Sequence, residues 1–145
     1  MNMSFQEKSA WGSLVGLGLV GYWYFPRAFL VAQSSNSPAA LFWISIVCII
    51  ALIIVFSVYH AAIALHGGDQ TDERDKLIDL KAERVASYTL GIGLFWLVAR
   101  IVSGESVFGP EPMSSLLIAV WILFAITASE VIKNIAQIVY YRAGA

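Results

Sequence analysis

The feature that most constrains the fold is a long stretch without charge. Between Arg27 and Asp69 the chain contains no Asp, Glu, Lys or Arg, and most of this stretch is strongly apolar. A helix needs roughly 20 apolar residues to cross the hydrocarbon core of a bilayer, which is about 30 Å thick. Three further segments meet or approach that requirement. The sequence therefore predicts a single membrane domain, 1–145, with spans at about 8–26, 40–62, 85–103 and 113–131.

The composition agrees with a membrane protein and excludes several other classes. Hydrophobic residues make up 59% of the chain and charged residues only 13%, against roughly 45–50% and about 25% in soluble domains. A net charge of −1 leaves no basic surface for nucleic acid. The single Cys48 excludes an intrachain disulfide and a cysteine-based metal site. We expect an all-α fold with no metal and no cofactor.

Local signals place the ends of four helices. Ser4 and Glu7 match a capping box, so helix 1 should run from near Phe5 to about Phe25. Pro26 should then kink or end it, and the polar residues 32–37 are typical of a loop. The bulky aromatic residues that close the apolar run argue against a cleavable signal peptide, which needs small residues there.

The other three helices have comparable signals. Ser37 suits the N-cap of helix 2, Pro38 its first position, and glycines 67–68 its end near Leu65. Helix 3 should run without a break over 71–103, so that its first part, 71–84, extends beyond the membrane. Helix 4 should begin at 112–113. This pattern predicts an integral membrane bundle of four transmembrane helices.

Basic residues predict the orientation of the bundle. Arg27 and Arg100 approach one side of the predicted membrane, whereas seven basic residues flank the other side: Lys8, Arg74, Lys76, Lys81, Arg84, Lys133 and Arg142. Cytoplasmic loops carry an excess of Lys and Arg, so both termini and segment 71–84 are predicted to be cytoplasmic. Aromatic residues should mark the outer interface, namely Tyr22, Trp23, Tyr24 and Trp43.

Small residues in helix 1 predict a packing surface. Residues 16–21, "GLGLVG", match the spacing of a dinucleotide fingerprint, but they lie inside a predicted span and lack the acidic residue that such sites require downstream. Ser9, Gly12 and Gly16 instead form a stripe that allows two helices to approach closely. Its partner could be another helix of the bundle or a second copy, so a homo-oligomer through helix 1 remains one interpretation.

The two histidines give a weak haem hypothesis. His60 and His66 are six residues apart, so on one helix their rings point in different directions. Haem held by two histidines needs rings that face each other across helices, which only a pair of His60 residues in a homodimer would supply. The simpler interpretation is that His60 forms hydrogen bonds near the inner interface.

A polar stripe on helix 4 gives an alternative function. Its i, i+3, i+4, i+7 spacing places these side chains on one face near the predicted depth of His60 and Tyr88: Glu130, Lys133, Asn134 and Gln137. Such a cluster could serve a small transporter or an ion- or proton-conducting protein. It could equally mark where the helix leaves the lipid. No constellation of catalytic residues is present, so we expect no enzyme activity.

The most charged segment, Asp72–Arg84, holds nine of the nineteen Asp, Glu, Lys and Arg residues. On a helix its two signs separate, with Arg74, Lys81 and Arg84 roughly opposite an acidic face of Asp72, Asp75, Asp79 and Glu83. One interpretation is a solvated helical extension. The other is a docking surface for a cytoplasmic partner that carries Arg or Lys, with these candidate residues: Asp72, Glu73, Arg74, Asp75, Asp79, Lys81 and Glu83.

The same segment carries a resemblance to a known family. "DERDKLIDLKA", with the pattern D-E-R-D-x-x-I-x-x-K-A, resembles the central motif of a family of small prokaryotic four-helix membrane proteins of unknown function. The aromatic-basic ending "YYRAGA" is also similar. The resemblance implies a multi-pass protein of the prokaryotic plasma (inner) membrane and a role for Asp72, Glu73, Arg74, Asp75 and Lys81. It further implies a cytoplasmic protein partner, such as a regulator.

Overall fold

The computed structural model describes residues 5–34, 37–65, 72–103 and 113–143, which form four α-helices without any strand among them. The helices are α1 (Phe5–Ser34), α2 (Pro38–Ala64), α3 (Glu73–Ser103) and α4 (Ser115–Ala143). At 1.5 Å per residue each is about 40–46 Å long, which exceeds the hydrocarbon core. Each also contains a window apolar enough to cross a membrane. The predicted all-α integral membrane bundle of four helices is confirmed.

At the start of three helices, a short polar side chain accepts a hydrogen bond from a backbone N–H group. Ser37 accepts a hydrogen bond from the backbone N–H of Ala40 at 3.4 Å, as predicted for the N-cap of α2. Asp72 accepts one from the N–H of Glu73 at 2.7 Å at the start of α3. Ser114 accepts one from the N–H of Leu117 at 3.2 Å, so α4 begins later than predicted. The predicted capping residue Ser4, the glycines at 67–68 and Pro112 lie outside the described residues.

Helix α1 corrects one prediction, because it continues through Pro26 to Ser34. Residues 32–34, which the sequence analysis assigned to a loop, are helical. The ring of Pro26 removes one backbone hydrogen bond, but Arg27 donates from Nη1 to the carbonyl of Trp23 at 2.7 Å. Beyond the proline, Ala28 and Ala32 are buried in the core. Packing after Pro26 therefore outweighs the local preference to stop.

Three interfaces hold the bundle together, and they join the helices in the order α2, α1, α4, α3. One core cluster lies where the first three meet, with Tyr24, Ala28 and Ala32 of α1 against Leu41 and Val120. The hydroxyl of Tyr24 lies 2.8 Å from that of Ser45. The assignment of Tyr24 to the outer aromatic belt was therefore wrong, because it is only 3% exposed.

The outer surface of the bundle is apolar, as a bilayer requires. In α2 only Leu41 is buried, and large side chains such as Trp43, Ile53 and Val58 are more than half exposed. Exposed apolar surface on this scale marks contact with lipid or protein rather than water. Contacts that bear on function are therefore expected where polar residues interrupt this apolar surface.

Candidate functional site

At one end of the bundle, all four helices take part in polar contacts with one another. Ser9 near the start of α1 contacts His60 near the end of α2. Glu7 of α1 contacts Arg142 at the end of α4, and Tyr141 contacts α3. We call this region, formed by the first turns of α1 and α3 and the last turns of α2 and α4, the charged end. The start of α1 and the end of α4 therefore lie on the same side of the membrane, and that this side is cytoplasmic stays a prediction.

The most extensive polar contact at the charged end joins α3 to α4. The hydroxyl of Tyr141 donates to Oδ1 of Asp75 at 2.8 Å, and Nε2 of Gln137 donates to Oδ1 of Asp79, also at 2.8 Å. Lys133 forms ion pairs with Glu83 and, at 3.7 Å, with Asp79. We call these six residues the α3–α4 seam: Asp75, Asp79, Glu83, Lys133, Gln137 and Tyr141.

The seam follows from the spacing of the two sequences. Its residues are four apart on both helices, 75, 79 and 83 against 133, 137 and 141, and residues at i and i+4 share one helix face. Because the two helices run in opposite directions, the pairs form a ladder of three rungs. Beside the ladder, Ile78 and Ala82 of α3 are 1% and 0% exposed. Close packing thus fixes the extension of α3 on α4.

The structure turns most of the predicted acidic face toward α4 rather than toward solvent. Asp75, Asp79 and Glu83 belong to the seam, although the carboxylates of Asp79 and Glu83 keep more than half of their exposure. Asp72 caps α3. Lys81 lies over the ring of Tyr140 at 5.8 Å from its centre. Six of the seven candidate docking residues, all except Asp75, are exposed. Among the described contacts, only Glu73 and Arg74 of these six have no side-chain role as a cap, an ion-pair partner or an aromatic contact.

Sequence reasoning missed what lies opposite the seam. Leu77 and Leu80 are 57% and 68% exposed, and Arg84 and Tyr88 are exposed on the same side of α3. With 100° per residue these side chains point away from Ile78 and Ala82. A helical wheel could have found this outward face, but only if the position of α4 had been known.

The residues proposed for transport do not form one site. His60 lies in the α1–α2 contact, where Nδ1 donates to the carbonyl of Phe56 at 2.8 Å and Nε2 accepts from the hydroxyl of Ser9 at 3.0 Å. Tyr88 is 68% exposed, and Glu130 is also exposed. Lys133 points toward α3 in the seam. No hydrogen bond or ion pair of the described residues joins His60, Tyr88 and Glu130.

The described residues also contain no group of three His, Cys, Asp or Glu side chains that could hold a metal ion. His66, the other residue of the haem hypothesis, lies outside the described residues. The cavities of the described bundle have mainly apolar linings, such as the one of about 120 Å³ between Tyr24, Cys48 and Leu123. The polar side chains that could contact a polar ligand are therefore concentrated at the charged end.

The small residues of α1 pack within the bundle. A side chain at Gly12 would meet the ring of Tyr59, and one at Gly16 would meet Phe56 and Val55 of α2 at 3.1 Å. The hydroxyl of Tyr59 donates to the carbonyl of Lys8. The predicted close packing of this stripe is confirmed, and α2 of the same chain occupies the face that the homo-oligomer interpretation needed.

One further residue of the charged end gave no signal in the sequence beyond a match to a capping box. Glu7 is 8% exposed, and its Oε1 lies 3.7 Å from Nε of Arg142. The guanidinium of Arg142 also lies over the ring of Trp11, 5.5 Å from its centre. These contacts tie the start of α1 to the end of α4.

No protein-family model, curated protein or solved structure matches the chain. The family resemblance therefore stays a prediction, but the structure relates the two sequence features that suggested it. Asp75 and Lys81 of the motif contact Tyr141 and Tyr140 of the aromatic-basic ending. Ile78 and Ala82 of the motif are buried. In this chain, much of the motif serves to hold α3 against α4.

Proposed function

We propose that this chain is a non-enzymatic membrane protein that presents the extension of α3 to a protein partner in the adjoining aqueous phase. The observation that carries the proposal is the exposure of Leu77 and Leu80, at 57% and 68%, on a helix that the seam holds in place. Two leucines at i and i+3 on a fixed helix suit insertion into an apolar groove of a partner.

The position of the leucines supports a protein partner rather than lipid tails. The apolar part of α3 begins at Val85, and Leu80 and Leu77 precede it by five and eight residues. These separations correspond to about 7.5 and 12 Å along the helix. The headgroup layer occupies roughly 5–7 Å on each side of the hydrocarbon core. With α3 near the membrane normal, Leu77 lies in water, where a partner that covers it gains hydrophobic stabilisation.

The charges around the leucines indicate what the partner should carry. Asp72 caps α3, and Asp75, Asp79 and Glu83 lie on the side of α4. Among the exposed charges around the leucines, the cations Arg74, Lys76 and Arg84 therefore outnumber the anion Glu73. We therefore propose a partner with an apolar pocket and an acidic rim. This reverses the sequence-based expectation of a partner carrying Arg or Lys.

Site-specific photocrosslinking in native membranes tests this proposal. A photoreactive phenylalanine analogue replaces Leu77 or Leu80, and a matched control replaces Ile92, which is exposed on the same helix within the apolar span. We expect one and the same protein to be crosslinked from both leucine positions and not from Ile92. Adding Arg74→Glu should weaken that crosslink, because it would repel an acidic rim. No crosslinked protein from either leucine would contradict the proposal.

A further inference from the structure

The turn of α3 that enters the membrane carries two cations on its exposed side. Lys81 and Arg84 are both exposed, and Arg84 directly precedes the first apolar residue of the span, Val85. The carboxylates beside them, Asp79 and Glu83, form ion pairs with Lys133 of α4. Within the described residues no ion pair joins Lys81 or Arg84 to a carboxylate. Neither cation is therefore neutralised by a direct ion pair at the level of the lipid headgroups, where Lys81 also lies over the ring of Tyr140.

The next turns of α3 form a shallow notch below these cations. At Gly91 an added side chain would meet nothing within 4 Å. Tyr88 and Phe95, which are 68% and 76% exposed, lie three residues before and four residues after Gly91 and therefore border it on the same face. Open space beside a glycine that lies between two exposed aromatic side chains leaves room for a hydrocarbon chain against the helix.

We propose that this face of α3 binds an anionic phospholipid. Its phosphate would contact Lys81 and Arg84, and one acyl chain would lie over Gly91 between Tyr88 and Phe95. Arg binds phosphate oxygens with two parallel hydrogen bonds, and basic residues at the membrane surface attract anionic headgroups. The occupant is a lipid of the membrane rather than free phosphate, because the open position at Gly91 lies within the apolar span, about 10 Å along the helix from Arg84.

This lipid site does not depend on the proposed protein partner. The partner is expected at the distal turns around Leu77 and Leu80, whereas the lipid is expected at the turns from Lys81 to Phe95. The purified protein without any partner should therefore still show the lipid preference. An experiment that contradicts one of the two proposals therefore does not contradict the other.

Native mass spectrometry of the full chain, purified from bilayers that contain both phosphatidylglycerol and phosphatidylcholine, tests the site. We expect the protein to retain phosphatidylglycerol in preference, by about thirtyfold if both cations contribute as usual. Lys81→Gln with Arg84→Gln should reduce the preference toward onefold. The matched control, Arg74→Gln with Lys76→Gln, removes the same charge further from the membrane and should preserve it. Gly91→Leu should lower retention of the lipid by filling the notch.

Four results would contradict the inference. Equal retention of the two lipids by the unmodified protein would show that no selective site exists. An equal loss of preference in the control pair would show a general effect of net charge. Displacement of the bound lipid by inorganic phosphate alone would show an anion site that does not recognise lipid. Unchanged lipid retention in Gly91→Leu would show that no acyl chain lies over Gly91.

Discussion

Two pairs of helices meet at the charged end, and they do so by different chemistry. In the α1–α2 pair, the absence of a side chain at Gly12 makes room for the ring of Tyr59, and a hydrogen bond joins Ser9 to His60. In the α3–α4 pair, carboxylates on one helix meet a hydroxyl, an amide and an ammonium group on the other. The first contact depends on close packing, whereas the second adds a row of polar pairs to the packing of Ile78 and Ala82.

This difference determines how each pair should respond to change. A contact that depends on close packing tolerates no added side-chain volume, because neighbouring atoms would have to move apart. A contact made of partly exposed ion pairs depends on ionic strength, and each pair contributes little by itself. Substitutions matched for size and position can therefore separate the two pairs.

The largest expected effect is the disruption of the α1–α2 contact by Gly12→Leu. The new side chain would occupy the position of the Tyr59 ring. Overpacking typically costs about 1–3 kcal/mol, and this overlap should give a value near the upper limit. We expect the free energy of unfolding, measured by titration with SDS from mild detergent, to fall by that amount. The matched control is Gly18→Leu on the same helix, where an added side chain meets nothing within 4 Å.

A second substitution tests the stated cause. Tyr59→Ala removes the ring that blocks the new side chain, so Gly12→Leu should cost clearly less in a Tyr59→Ala background than in the unmodified chain. Equal costs in both backgrounds, or an equal effect of Gly18→Leu, would show that the loss comes from the leucine itself and not from the α1–α2 contact.

Periodicity explains which of these contacts the sequence could predict. The spacing of Gly12 and Gly16 indicates a packing face without knowledge of its partner. The acidic stripe of α3 and the polar stripe from Lys133 to Gln137 were likewise visible, each on its own helix. That the two stripes face each other could not be predicted, because it depends on which helices are neighbours in the bundle.

Two other residues were misjudged for a related reason. Pro26 is a local signal for the end of a helix, yet burial of Ala28 and Ala32 keeps α1 helical beyond it. Tyr24 is an aromatic residue near the end of a predicted span, as in an aromatic belt, yet its hydroxyl forms a hydrogen bond with Ser45 inside the bundle. In both cases packing with a distant part of the chain overrides a preference that depends on the residue alone.

An intermediate effect is expected from Tyr141→Phe in the seam. The substitution removes the hydroxyl that donates to Asp75 and leaves a partly buried carboxylate with one partner fewer. Hydrogen bonds to charged groups contribute about 1.5–3 kcal/mol, so we expect a loss near the lower limit in the SDS titration. The matched control is Tyr140→Phe, which keeps the ring beneath Lys81 and should change stability very little. Equal losses in the two variants would contradict the assignment of this bond to the seam.

The smallest expected effect is the coupling between Lys133 and Glu83. The side chain of Lys133 keeps 22% and that of Glu83 56% of its exposure, so water and salt weaken the attraction. A double-mutant cycle of Lys133→Gln and Glu83→Gln should give a coupling free energy of about 0.2–1 kcal/mol. High salt should reduce this coupling further, whereas the cost of Gly12→Leu should stay the same. A coupling that salt leaves unchanged would mean that the Lys133–Glu83 pair is shielded from solvent, and the two helix pairs would then not differ in their response to salt.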